Sequence, residues 1–112
     1  MTHGDNDVIE KWSGSDGYPF VIRYLNRTAG AREGTIWAAR YDGENNPAVS
    51  SKARINDGVF HHVAFVKRSS RLALYIDGVL EATVEDSTTG ETKNEGPLFI
   101  GARGGRGNFF SG

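Results

Sequence analysis

The run Arg71-Leu72-Ala73-Leu74-Tyr75-Ile76-Asp77-Gly78-Val79-Leu80-Glu81-Ala82-Thr83-Val84-Glu85 decides the fold. Leu72, Leu74 and Ile76 alternate with Ala73, Tyr75 and Asp77, and a period of two is that of a strand with one buried face. Asp77-Gly78 stands between two such runs, where a type I′ turn needs positive φ at both central positions. The strand that follows carries Val79 to Val84, with Glu81 and Glu85 on its wet face. Upstream, Phe60 to Lys67 leads through Arg68-Ser69-Ser70 into Arg71. A second hairpin therefore precedes the first, and 60–85 reads as a three-stranded meander.

The same period extends outward. Short runs rich in Val, Ile, Phe, Tyr and Thr recur about every 10 residues between clusters of Gly, Asn, Asp and Ser, the spacing of an all-β sandwich or barrel. Candidate strands fall at 8–12, 19–26, 35–41, 47–55, 60–67, 71–77, 79–85 and 97–102. Gly30 to Gly34 and Asp42 to Asn46 read as turns, and the polar stretch 86–96 as a surface loop. No segment sustains a helical pattern, and no linker or repeat divides the chain, so 1–112 is one domain.

Composition narrows the function classes. Among 112 residues, 13 Lys and Arg face 14 Asp and Glu, a net charge of −1. A dedicated nucleic-acid binder would be strongly basic. The absence of cysteine excludes disulfides, thiolate zinc sites and a cysteine nucleophile. No apolar run approaches the ~18 residues of a membrane span, and the start Met1-Thr2-His3-Gly4-Asp5 has neither the basic nor the apolar region of a signal peptide.

The segment Asn56-Asp57-Gly58-Val59-Phe60-His61-His62-Val63-Ala64-Phe65, followed by Leu72-Ala73-Leu74-Tyr75-Ile76-Asp77-Gly78-Val79, resembles the laminin-G-like branch of the concanavalin-A-like jelly rolls. That family carries an N-D-G-x-W-H-H-V-A strand and an L-Y-V-D-G-V hairpin. Pro97-Leu98-Phe99-Ile100-Gly101 is similar to its P-L-x-I-G strand, and Phe109-Phe110-Ser111-Gly112 to its F-x-G run. Val8-Ile9-Glu10-Lys11-Trp12 and Gly17-Tyr18-Pro19-Phe20 resemble its first strands. Phe60 stands where the family usually has Trp. The fold the resemblance implies is a two-sheet antiparallel jelly-roll sandwich. Against the family pattern the chain lacks a strand at either end, so an incomplete or strand-exchanged sandwich is expected, with open edges that favour a homo-oligomer.

The function the resemblance implies is a non-catalytic recognition module, secreted or at the cell surface, binding carbohydrate or an extracellular protein. The alternative is an assembly domain that self-associates through its sheet edges and takes no small ligand. Fold alone does not choose between them. Sugar rings stack on flat apolar faces, and Trp12, Tyr18, Tyr24, Trp37, Tyr41 and Tyr75 supply such faces. In strand 35–41, Trp37, Ala39 and Tyr41 share one side and Ile36, Ala38 and Arg40 the other; alternation does not say which is the core. Tyr75 alternates away from Leu74 and Ile76. The ligand-binding candidates are Tyr75, Trp37, Arg103 and Arg106, the two arginines from a glycine-rich turn.

Other groups read as structural. His61 and His62 are adjacent and face opposite ways on a strand, so they do not chelate one metal. One ring is expected to be buried and bonded to backbone. Glu81 and Glu85 stand about 13 Å apart along a strand, too far for a retaining glycosidase pair. Asp42-Gly43-Glu44-Asn45-Asn46 gathers hard oxygen ligands, so Asp42 and Asn45 are the candidate Ca2+ ligands, although this is also ordinary turn composition.

Overall fold

A computed structural model describes residues 6–12, 17–102 and 110. Eight strands follow in order: β1 (Asn6–Glu10), β2 (Tyr18–Tyr24), β3 (Ile36–Tyr41), β4 (Ala48–Ser50), β5 (Val63–Arg68), β6 (Arg71–Ile76), β7 (Val79–Glu85) and β8 (Phe99–Ile100). They build two antiparallel sheets, β4-β3-β2-β1-β8 and β5-β6-β7. The jelly-roll sandwich expectation holds, and each candidate strand overlaps one of these elements, although β1 and β2 begin before their candidate ranges and β5 ends after its own. A short 3-10 helix, Arg27–Arg32, joins β2 to β3, broken at Gly30. Among the described residues no helix is long and apolar enough to cross a membrane.

The meander forms as its turn chemistry demands. Asp77 and Gly78 both adopt positive φ, 52° and 80°, and Ile76 pairs with Val79 across the turn. On β6, Leu72, Leu74 and Ile76 are buried while Ala73 and Tyr75 are half-buried on the opposite side. The inward side meets the five-stranded sheet. Ile36, Ala38 and Val49 of one sheet pack with Leu74 and Ile76 of the other, flanked by Ile22, Tyr24, Ile55, Val63, Phe65, Ala82 and Val84. Burying a Leu or Ile here contributes about 1.5–3 kcal/mol, which makes this the core of the sandwich.

Three bulges interrupt the period of two. The register shifts between Asp7 and Ile9 in β1 and between Tyr18 and Val21 in β2. In β7 the extra residue is Glu81, because Leu74 pairs with Ala82 but Tyr75 with Leu80. A bulge reassigns the side chains beyond it to the other face. Glu81 consequently reaches across to accept N–H bonds from Lys52 and Ala53 just after β4, at 2.9 and 2.7 Å. Glu85 instead pairs with Arg71 on the outside at 3.0 Å. The expectation that Glu81 and Glu85 share a wet face is corrected: Glu81 fastens one sheet to the other.

Candidate functional site: an aromatic sheet face

The face of the five-stranded sheet turned away from the three-stranded sheet is built by β1, β2 and β3. Val21 lies opposite Ala39, and Arg23 opposite Trp37. Asp7 lies opposite Arg23, and Glu10 opposite Val21. These pairs share one side of the sheet, since directly opposed residues point the same way. Tyr18, Val21 and Ala39 form a buried cluster there, packed by Trp12, Trp37, Tyr41 and Ala48.

The rings on this face are ordered against one another. Trp12 meets Tyr18 edge-on with centroids 5.6 Å apart, and Tyr18 meets Tyr41 at 5.5 Å. Both separations lie in the range favoured by aromatic quadrupoles. Asn46 donates to the Tyr18 hydroxyl at 2.9 Å, and Tyr41 donates its own to the Gly43 carbonyl at 2.9 Å. Beside this row the Arg23 guanidinium lies over Trp37, 4.9 Å from the ring centroid. Asp7, fully buried, accepts from Arg23 Nε at 2.6 Å. The pair holds the guanidinium over the indole ring, where a cation is attracted to the π face.

A rim closes one end of the row. Segment 86–96, expected as a surface loop, is tied down along its length. Asn94 is buried and donates to the carbonyls of Lys11 and Gly17 at 2.6 and 2.9 Å, while Lys11 Nζ donates back to Asn94 O at 3.0 Å. Asp86 accepts from Lys67 at 2.9 Å and faces Arg40 Nε at 3.3 Å. Lys67 thus holds the loop. The loop backbone lies close at Gly17: a Cβ there would meet Glu91 O at 2.5 Å and Tyr41 O at 2.6 Å.

Asp42 organises the rim. Its Oδ1 accepts the N–H groups of Glu44 and Asn45 at 2.9 and 2.6 Å, and its Oδ2 those of Thr89 and Gly90 at 2.7 and 2.9 Å. Asn45 adds its side-chain amide to Oδ2 at 3.1 Å. Four backbone N–H groups hold the carboxyl far below the usual carboxylate range. A carboxylate offers about four lone-pair sites, and N–H donors occupy them here. Asp42 and Asn45 therefore do not fit a calcium site: the oxygens a cation needs already face positive dipoles. Among the described residues no group of three His, Asp or Glu could hold a metal ion.

The other candidates separate. Trp37 lies on the aromatic face, half-buried. Tyr75 lies on the outer face of the three-stranded sheet, opposite Ala64 and Leu80. The two rings stand on opposite sides of the sandwich and cannot grip one ligand. Arg103 and Arg106 lie outside the described residues. Arg23 and Asp7 were missed as site residues, and the grouping of Trp12 and Tyr18 with Trp37 was not legible, because the bulges in β1 and β2 displace the alternation. The Arg and Trp at positions 23 and 37 become partners only through strand register.

The histidines also differ from expectation. Neither lies in a strand, since β5 begins at Val63. The His61 ring bonds to two carboxylates rather than to backbone: Nδ1 to Asp77 at 2.6 Å and Nε2 to Asp57 at 2.7 Å. His62 is exposed.

These features define a two-sheet antiparallel sandwich with one aromatic outer face. The family model Laminin_G_3, described as the Concanavalin A-like lectin/glucanases superfamily, matches residues 2–112. The chain belongs to that family. No curated protein and no solved structure matches it. A carbohydrate- or protein-binding module fits this superfamily in general, which holds glucanases as well as lectins.

Proposed function

We propose that the domain is a non-catalytic module that binds carbohydrate on the aromatic face of the five-stranded sheet. The observation that carries this reading is the set of half-exposed rings Trp12, Tyr41 and Trp37, ordered by the buried Tyr18 and by Arg23 over Trp37. The half-exposed rings Trp12, Trp37 and Tyr41 offer stacking surface to the C–H faces of a sugar, held in place by the buried Tyr18 between Trp12 and Tyr41. Binding of this kind needs no metal, in keeping with the saturated Asp42 carboxylate. A secreted or cell-surface setting suits a lectin-like role. A glycan-array screen with calcium and with chelator tests the proposal. Binding that persists in chelator and is lost in Trp37→Ala supports it. Binding lost on chelation restores a cation site, retention in the variant moves the site elsewhere, and turnover of the bound glycan makes the protein an enzyme.

A second reading is assembly through open edges. It is favoured, among the described residues, by edge strand β5, which follows the exposed Val59 and fully exposed Phe60, and by Ile100, exposed on edge strand β8. Unpaired edges template pairing with another chain. A concentration-dependent dimer in sedimentation, with no glycan bound on the array, would favour this reading over the first.

A further inference from the structure

The Asp57–His61–Asp77 cluster belongs to the meander and touches none of the residues of the aromatic face. Segment 56–62 leaves the sheet before β5 and passes the Asp77–Gly78 turn, from which Asp77 meets it twice. Asp77 Oδ1 accepts the His62 N–H at 2.8 Å, and the Asp77 N–H donates to His62 O at 2.8 Å. The remaining carboxylate oxygen, Oδ2, faces His61 Nδ1 at 2.6 Å, while Asp57 Oδ1 faces Nε2 at 2.7 Å. The ring itself is mostly covered, and both carboxylates are about half exposed. Phe60 and Val59, next in the same segment, project into solvent.

A neutral imidazole has one N–H and one lone pair, whereas the imidazolium has two N–H donors. Two ionised carboxylates, one at each ring nitrogen, are both satisfied only by the imidazolium. When the ring loses its proton, one nitrogen turns its lone pair on a carboxylate. Histidine is the side chain whose ordinary titration falls near neutrality. We infer that His61 is a pH-operated latch that, when protonated, fastens segment 56–62, with Phe60 on its outer surface, to the Asp77–Gly78 turn.

The charges facing the ring come from both elements packed on it: Asp57 on its own segment and Asp77 on the β6–β7 turn. His62 acts in turn on Asp77. The hydrogen bond to Asp77 and then that to Asp57 raise His61 above its ordinary 6.5. The hydrogen bond to His61 lowers both carboxyls below their ordinary 3.8. For the histidine, whose value is raised on folding, the stabilisation is complete below 6.5 and is lost as pH rises through the folded value. For the aspartates, whose values are lowered, it is present above 3.8 and lost as pH falls through theirs. The latch therefore holds between the lowered aspartate values and the raised histidine value, and opens as pH rises through the latter.

An NMR titration of the full chain from about pH 5 to pH 9 tests this, with the His61 ring and the His62 and Asp77 amides as probes. The reference for the ring is the same chain unfolded in concentrated urea. His61 is expected to titrate above that reference. Protection of the His62 and Asp77 amides, corrected for intrinsic exchange, should fall across the same midpoint, about tenfold for each unit of the upward shift. Asp57→Asn, on an exposed loop, should lower the His61 midpoint without unfolding the sandwich, and Asp77→Asn should also remove protection at His62. A His61 midpoint at or below the unfolded reference, or amide protection that stays flat through it, overturns the latch.

Discussion

The sandwich has two outer faces, and they are made differently. Outside the three-stranded sheet lie Ala64, Val66, Ala73, Tyr75 and Leu80, small or apolar groups around one ring, with the exposed Arg71–Glu85 pair at the end. Outside the five-stranded sheet lie four rings, the buried carboxylates of Asp7 and Glu10, and a guanidinium held by Asp7 over one of the rings. The first face arises from regular alternation on β6. The second is assembled by bulges in β1 and β2 and by the rim that Asp42 and Asn94 tie down. The contrast teaches that a lone surface ring such as Tyr75 is what any half-exposed strand carries, whereas ordering several rings around a buried ion pair costs desolvation that a merely structural face could avoid.

The sharpest test of that contrast is Asp7→Ala. It leaves the mostly covered Arg23 without its buried partner, so the domain should lose about 3–5 kcal/mol in urea unfolding, where Tyr75→Ala should lose only about 1 kcal/mol. Comparable losses would erase the difference between the faces. Next is Gly17→Ala. Its Cβ would strike the backbone carbonyls of Glu91 and Tyr41, and overpacking of this kind costs about 1–3 kcal/mol. If the rim orders the aromatic row, glycan affinity should fall along with stability.

The third test compares rings directly. Trp37→Ala should weaken glycan binding about tenfold, or ~1.4 kcal/mol, while Tyr75→Ala leaves affinity unchanged; the reverse result would transfer the site to the meander. A finer test is acid titration of the rim. Because Asp42 is held below its ordinary 3.8, its stabilisation is present above that value and lost only as pH falls through the lowered one. The Thr89 and Gly90 amides should therefore stay protected when ordinary carboxylates have already protonated, and Asp42→Asn should abolish that protection at all pH. The smallest effect is expected for Glu85→Gln, since both partners of the Arg71 pair are more than half exposed; it should fall within about 0.5 kcal/mol of the unmodified domain.

Legibility followed the regularity of the backbone. On β6, Leu72, Leu74 and Ile76 point inward as their alternation said. On β3, which is free of bulges, Trp37, Ala39 and Tyr41 share a side as expected, although only the packing of Ile36 and Ala38 on Leu74 and Ile76 shows that this side is turned away from the other sheet. Asp7 with Glu10, and Tyr18 with Val21, share a face at a spacing of three, which strict alternation forbids. The loop residues misled for another reason. Asp42 and Asn45 have the composition of cation ligands, but nothing local reveals that N–H groups forty-seven and forty-eight residues away complete the set.

By itself the sequence determined the strands, the Asp77–Gly78 hairpin, the all-β class and the absence of cysteine chemistry. These depend on side-chain period and turn conformation, which are properties of a few neighbouring residues. Only the tertiary structure decided which face of the large sheet packs on the small one, that Trp37 and Tyr75 lie on opposite sides, that Arg23 lies over Trp37, and that His61 sits between Asp57 and Asp77. Each of those facts depends on register or on contacts between distant segments, and a one-residue bulge is enough to move a side chain from one face to the other.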